Sequence, residues 1–422
     1  MSELIPGGLG VVRGLRSAGV SAGFRRDPAR LDLALVVVPE GSTAAAVFTR
    51  NRFCAAPVSV SREHLAALRE RDLGARAVVL NSGNANAATG AAGRATAEAT
   101  AERAAALLGC SAEQVLVAST GVIGVPLPVE PFACGLPAAI AALSDGSGKD
   151  PEAALPAAQA ILTTDTVPKQ AAARFSLAQD DGTTQLYHVG GICKGSGMIA
   201  PDMATMLAVL ATDASIGAEA LDAALREAVR TSFNRVTVDS DSSTNDSVFL
   251  LATGASSTAE DRVLEKDAAD WPLFVEALRL VCEDLARQIA RDGEGASKLV
   301  TVRVSGAASD DDAQAAARAV ADSPLVKTAI AGRDANWGRV AMALGKSGAV
   351  FSPEAVSIQI AGLEVFASGS PVAFSEEEAL RRLVGYDEIV IAAQLGAGSA
   401  AATVWTCDLT HDYININADY RS

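Results

Sequence analysis

The stretch KGSGMIAPDMATML, residues 194–207, sets a lysine and two glycines ahead of a proline-bounded turn, then Ala204-Thr205 and an apolar run. Glycine relaxes the backbone and proline restricts the residue before it, so the chain here can bend until a hydroxyl reaches the preceding carbonyl. Thr205 is the candidate nucleophile on that ground. The plainer alternative is a glycine-punctuated loop that leads into a hydrophobic helix. What favours chemistry is the rest of the chain.

Composition narrows the classes. The 422 residues suffice for two to three domains, or for one large α/β body with an appendage. Apolar residues make up 49% and aromatics 4%, so the interior must be built from Ala, Val and Leu, which suits closely packed layers. A formal net charge of −15 repels phosphates and argues against nucleic acid or an anionic membrane as partner. Small zwitterions remain easy to accommodate. No run of eighteen or more apolar residues occurs, and MSELIPGGLG has neither a basic nor an apolar leader region, so the expectation is a soluble cytoplasmic enzyme. The six cysteines are scattered singly and the three histidines, His64, His188 and His411, lie far apart. Reduced thiols are expected, with no metal site and no histidine-based triad.

Along the chain, 31–38 and 43–50 each read as a strand, and 76–80 as another that empties into NSGNAN at 81–86. Asn and Gly at that density favour left-handed turns, either as a structural loop or as a loop beside a substrate. A helix from Arg94 to Leu108 should end at Gly109. The strand beginning at 115 delivers Ser119-Thr120-Gly121, where a hydroxyl and a glycine N–H stand side by side and can point two donors at one oxyanion. TTDTVPK at 163–169 reads as a polar pocket wall or as an Asp-capped turn. Residues 171–193 read as a hairpin with the tip QDDGTT, and 206–214 as a buried strand. An amphipathic helix follows at 216–232, and 232–254 reads as two β runs around a Ser/Asp/Asn turn. Asp239, Asp241 and Asp246 there lack the spacing of a calcium loop. A long helix spans Pro272 to Arg291, and Glu294 sits between glycines at the entrance of the strand 298–304. The Trp of DANWGR suits ring packing. The patterned tail, with Tyr413, Ile414, Ile416 and Tyr420, is expected to be tied into a sheet.

NSGNAN at 81, STGVIG at 119, TTDT at 163, the opening stretch, FNRVTVDSDSSTND at 233, DGEGASK at 292, SPLVKTA at 323, NWGR at 336 and the tail together resemble the ornithine acetyltransferase family, the glutamate N-acetyltransferases of arginine biosynthesis. The resemblance runs from about residue 6 to the C-terminus, and the motifs at 194–207 and 233–246 are the most specific. It implies an α/β (α+β) fold, a layered sheet-and-helix body like that of N-terminal-nucleophile enzymes, with a smaller αβ region from about 300 to 400 and a tail that returns to the site. It implies self-cleavage between Ala204 and Thr205 into an α chain, 1–204, and a β chain, 205–422. An internal Thr hydroxyl is a poor nucleophile, but the α-amine freed by cleavage, with a reference pKa of about 7.7–8.0, can serve as its base.

The same resemblance implies ping-pong acetyl transfer from N-acetylornithine to glutamate through acetyl-Thr205. Thr120 and Gly121 would form the oxyanion hole. Thr163 or its neighbour Thr164, Lys194, Thr205, Glu294, Asn417 and Ser422 would contact substrate, with Lys194 matched to an α-carboxylate and Glu294 to an amine. No cofactor is implied; acetyl-CoA is left open as a second donor. The α and β chains are expected to associate as a heterotetramer of two of each. The chain departs from the family's habit at Arg421-Ser422, Asp334-Ala335 and His411. Related self-processing amidases, a paralogue in a specialised pathway and a non-catalytic paralogue are the competing readings.

Overall fold

A computed structural model of the chain describes residues 2–178, 183–200, 206–256 and 263–419. Its larger sheet is made of β1 (Glu3–Ile5), β2 (Arg16–Val20), β3 (Leu33–Phe48), β4 (Ala75–Asn84), β5 (Val115–Val122), β6 (Lys169–Ala178), β7 (Thr184–Lys194), β8 (Leu207–Thr212) and β9 (Ser247–Ala252). The strand order is β1-β6-β7-β8-β9-β3-β4-β5, with β2 also paired to β3.

The strand β3 decides the architecture. Residues 33–37 pair with β2 and β4, whereas 43–48 pair with β9, and the register shifts between Val37 and Ser42. The sequence suggests two strands here, because Pro39 and Gly41 look like turn punctuation. Instead the chain continues through an irregularity, with Gly41 at φ 82°, and crosses from one layer to the other.

Period-two alternation then sorts the side chains. Ala34, Val36, Val78, Leu80 and Leu116 from one half of the sheet meet Val209, Phe249 and Leu251 from the other half in a shared core. The opposite faces are covered by helices. Leu33, Leu35 and Val37 pack on Ala97 and Ala101 of α2 (Gly90–Leu108) and Leu136 of α3 (Glu130–Ala141). Val248 and Leu250 pack on Leu225 of α5 (Ala218–Thr231) and on Leu278 and Leu285 of α6 (Trp271–Arg291). The result is a helix–sheet–sheet–helix stack, flanked by α1 (Ala56–Glu70) and α4 (Leu155–Ala160). Gly109 closes α2 in the left-handed conformation at φ 69°.

The stretch 232–254 holds one strand, not two. Phe233–Arg235 is a single 3-10 turn, Val236 makes only an isolated bridge to Trp405, and the chain is extended into the sheet from Ser247 onward. The acidic side chains at 239–246 are used to bind backbone, which takes this segment out of a ladder.

A second sheet contains β10 (Leu299–Ala307), β11 (Ser357–Ile360), β12 (Leu363–Ala367), β13 (Ser370–Pro371), β14 (Glu388–Gln394) and β15 (Ala400–Cys407), in the order β13-β12-β11-β14-β10-β15. With α7 (Asp310–Ala321), α8 (Pro324–Ala331), α9 (Trp337–Gly345) and α10 (Glu376–Gly385) it buries a core of its own around Val302, Val320, Ile358 and Ile391. Trp337 stacks on Phe366 at 5.1 Å, and the Asn336 side chain caps α9 by accepting from Arg339 N.

The tail is helical, α11 (His411–Asp419), and the expected sheet is absent from the described residues there. Its apolar residues do not share an inward face, and Ile414 is 67% exposed. Tyr413 and Asn417 are instead neighbours at i,i+4, with Asn417 Nδ2 donating to Tyr413 O at 3.0 Å. Thr410 Oγ1 ties the start of this helix to Gly295 O at 2.6 Å.

Candidate active site

The strand β7 ends on Lys194, paired in register with Leu207 at the start of β8, so both flanks of the opening stretch emerge at one end of the sheet. The turn that follows is held from several sides. Gly195 N donates to Asp165 Oδ1 at 2.7 Å, and Ser196 Oγ to Asp292 O at 2.6 Å. Met198, a non-glycine residue at φ 56°, is kept there while its N–H and that of Ile199 donate to the Asp239 carboxylate at 2.6 and 2.8 Å. On the far flank Met206 N donates to Asp246 Oδ1 at 2.8 Å.

A cavity opens beside this turn. Lys194, Gly197 and Met198 line it together with Thr120, Gly121, Thr163, Thr164, Glu294 and Asn417, and with Ser243, Thr244 and Asn245. Six of the sequence-predicted residues, Thr120, Gly121, Thr163, Lys194, Glu294 and Asn417, therefore face one space. Ala204, Thr205 and Ser422 lie outside the described residues.

Thr120 and Gly121 arrive on the end of β5, where Gly121 has φ 130°. An added Cβ on Gly121 would stand 2.4 Å from the Gly83 carbonyl carbon and 2.5 Å from Asn84 N, so the two strand ends touch through bare backbone. Asn245 locks the arrangement, its Nδ2 donating to Ala85 O at 2.6 Å and to Ser119 O at 2.8 Å. Ser119 Oγ in turn donates to Asn81 Oδ1 at 2.6 Å. The expected loop at 81–86 is therefore mostly the end of β4, which runs on to Asn84; its asparagines bind backbone, and only Ala85 of the segment reaches the cavity.

Three charged side chains, Asp165, Lys169 and Asp292, group with Lys194. Lys169 Nζ lies 2.7 Å from Asp165 Oδ1 and 2.6 Å from Asp292 Oδ2, and Lys194 Nζ is 3.9 Å from Asp165 Oδ2. Burial works to raise the Asp165 pKa, but Lys194 and Lys169 overcome it and hold the carboxyl below the usual carboxylate range. For Lys169 burial works to lower the pKa, and Asp165 and Asp292 reverse the sign, so it stays an ammonium. Lys194 differs. Burial lowers its pKa, and the attraction of Asp165 only partly offsets that. A ligand carboxylate beside Lys194 would supply the counter-charge its surroundings give incompletely.

Glu294 also lines the cavity, 7% exposed, with Asn417 Nδ2 donating to its Oε2 at 2.7 Å and its own N–H donating to Ser196 O at 3.0 Å. A Cβ on Gly197 would fall 2.3 Å from the Glu294 carboxylate, so that glycine makes room for the acid. The cavity thus pairs a buried cation with a nearly buried carboxylate, a complement to a small amino acid.

Sequence reasoning missed Asn245 and Gly197. The glycine stood within a stretch already singled out, but its contact with Glu294 arises across the fold and has no local signal. Asp239 and Asp246 were weighed only as metal ligands. They accept backbone N–H groups, and among the described residues no cluster of His, Cys, Asp or Glu able to hold a metal ion occurs. Nor, among those residues, is any helix long and apolar enough to cross a membrane.

The pattern of the ArgJ family matches residues 16–422. The arginine biosynthesis bifunctional protein ArgJ of Symbiobacterium thermophilum is 48% identical to this chain over 421 residues, covering 100% of both. That of Nitratidesulfovibrio vulgaris is 46% identical over 411 residues, 97% of this chain and 99% of its own. The solved structure of the arginine biosynthesis bifunctional protein ArgJ of Bacillus halodurans aligns at 47% identity and a TM-score of 0.48, over 49% of this chain and 96% of that one.

Proposed function

Because this chain belongs to the ArgJ family, we propose that it cuts itself between Ala204 and Thr205 and then moves an acetyl group from N-acetylornithine to glutamate through acetyl-Thr205. The cut divides it into an α chain of residues 1–204 and a β chain of residues 205–422 that begins with the nucleophile. The freed amine of Thr205 takes the hydroxyl proton, which lets a chain with so few histidines run nucleophilic catalysis. Thr205 Oγ1 adds to the acetyl carbon, ornithine leaves, and glutamate receives the acetyl group in the reverse sense.

Each half-reaction passes through a tetrahedral oxyanion, stabilised by the Thr120 hydroxyl and the Gly121 N–H; one such donor is worth about 2.7–4 kcal/mol. Lys194 pairs with the substrate α-carboxylate and Glu294 with the amine, while Thr163, Asn417 and Ser422 complete the contacts. What carries this reading is the convergence on one cavity of Thr120, Gly121, Lys194, Glu294 and Asn417, beside a turn whose far flank, Met206, directly follows Thr205. The relatives' designation as bifunctional supports acetyl-CoA as a second donor. The α and β chains remain together as a cytoplasmic heterotetramer of two of each.

Mass spectrometry of the purified protein tests the cut and the adduct together. Two fragments are expected, one beginning Thr-Met-Leu, with an acetyl group on that fragment after incubation with N-acetylornithine. Isotope-labelled glutamate should then appear as N-acetylglutamate. Free acetate with no labelled product would make the chain an amidase instead, and a Thr205→Ala variant that still splits at the same bond would remove the nucleophile.

A further inference from the structure

We infer that Asp239 and Asp246 are positioning residues for the self-cleavage, two carboxylates at the ends of one turn that hold both ends of the segment containing the cut. The inference rests on the proposed cleavage between Ala204 and Thr205. On the upstream side Asp239 accepts from Met198 N and Ile199 N through separate oxygens, and Ile199 O accepts from Val238 N at 2.8 Å. On the downstream side Asp246 Oδ1 accepts from Met206 N at 2.8 Å, and Met206 O accepts from Ser247 N at 3.1 Å. Backbone donors and acceptors on both flanks are thus spent on the same short stretch, 238–247.

The turn is itself anchored to the strand end that carries Thr120 and Gly121. Thr49 Oγ1 donates to Ser243 O at 2.7 Å, and Asn245 bridges Ala85 O and Ser119 O. One element therefore holds Met198, Ile199 and Met206 and is itself tied to the strand end that carries Thr120 and Gly121. Asp246 is fully buried, and among the described residues its second oxygen has no hydrogen-bond partner. Burial pushes its pKa well up, and Lys194 and the Met206 N–H only partly counter this.

In the cut, Thr205 Oγ1 adds to the Ala204 carbonyl carbon, the Ala204–Thr205 C–N bond breaks, and the hydroxyl proton ends on the freed nitrogen. Water then hydrolyses the ester to the Ala204 carboxylate and the Thr205 hydroxyl. Neither aspartate gains or loses a proton overall. Each acts by restricting the ends, so that attack begins from a confined geometry.

The test is the rate at which freshly purified full-length precursor splits, followed on denaturing gels, with circular dichroism and a melting curve for each variant. Asp246→Ala should slow the cut about ten- to hundred-fold, the loss typical of leaving a buried N–H without its acceptor. Asp246→Asn should restore most of the rate, because its amide oxygen can still accept from Met206 N. Asp239→Asn should remain slow, because its NH2 would face one of the two N–H groups that now donate to separate carboxylate oxygens. Hydroxylamine, which cleaves esters, should not rescue Asp246→Ala, because the brace acts before the ester forms. An Asp246→Ala precursor that splits at the wild-type rate overturns the inference while leaving the cleavage intact. So does an Asp246→Asn precursor as slow as the alanine variant, which would make Asp246 a proton carrier. A wild-type chain that never splits removes the cleavage itself, and the inference with it.

Discussion

Asn417 Nδ2 stands 2.7 Å from Glu294 Oε2, so the C-terminal helix reaches across the fold to orient the acid of the candidate site. Asn417 is itself exposed, and little of the fold depends on it. Asn417→Ala is expected to lower kcat/KM for N-acetylornithine by about tenfold or more, the loss of one hydrogen bond to a charged group, with little change in melting temperature. Steady-state kinetics beside a thermal melt check this; a collapse of Tm with unchanged kinetics would contradict it.

Gly121→Ala should be far more damaging. Its Cβ would meet backbone atoms of Gly83 and Asn84, which have no side-chain freedom to yield, and φ 130° is itself strained for an L side chain. Displacing the N–H from an oxyanion should cost about 10²–10³ in kcat. Single-turnover acetylation of the protein by N-acetylornithine isolates that step.

The lowered pKa of Lys194 gives the pH profile a sign. Its ammonium, which attracts a carboxylate, is lost as pH rises, and burial moves that loss below the ordinary lysine value of 10.5. Activity with glutamate should therefore fall on the alkaline side through KM at a lower pH than an exposed lysine would give. In Lys194→Arg, whatever its absolute rate, that alkaline limb should vanish, because arginine stays charged.

Lys169 serves stability. Lys169→Met leaves Asp165 and Asp292 without the cation now at 2.7 and 2.6 Å, and breaking a buried pair in this way costs about 3–5 kcal/mol. Because the folded-state pKa of Asp165 is depressed, its contribution is fully present above the unfolded value of 3.8 and is lost as pH falls from there through the folded value. Urea denaturation should show a large gap between wild type and variant at pH 7 that narrows below pH 4.

The helices and most strands were legible because their apolar spacing is local, as in α2 with Gly109 or α6 from Trp271 to Arg291. Where expectation and structure part, a side chain finds its partner far along the chain. Pro39 and Gly41 punctuate like a turn, yet the pairing of Thr43–Phe48 with β9 carries β3 onward. The run at 232–238 looks able to form a strand, but the Ser/Asp/Asn turn after it commits its carboxylates to Met198, Ile199 and Met206 instead of closing a hairpin. Of the candidate site, the chemical groups were visible as motifs. Their convergence was not, since Gly197 opposite Glu294 and Asn245 across Ala85 and Ser119 exist only after folding.

The sheet order carries one more consequence. The neighbours β8 and β9 come from beyond residue 205, and they are wedged between β7 and β3, both from before it. Two fragments severed at that bond would be dovetailed, each gripping the other along two seams of ladder hydrogen bonds and through the cores on both faces. Such halves cannot drift apart without dismantling the sheet, so the protein can lose a covalent link beside its candidate active site and keep its shape.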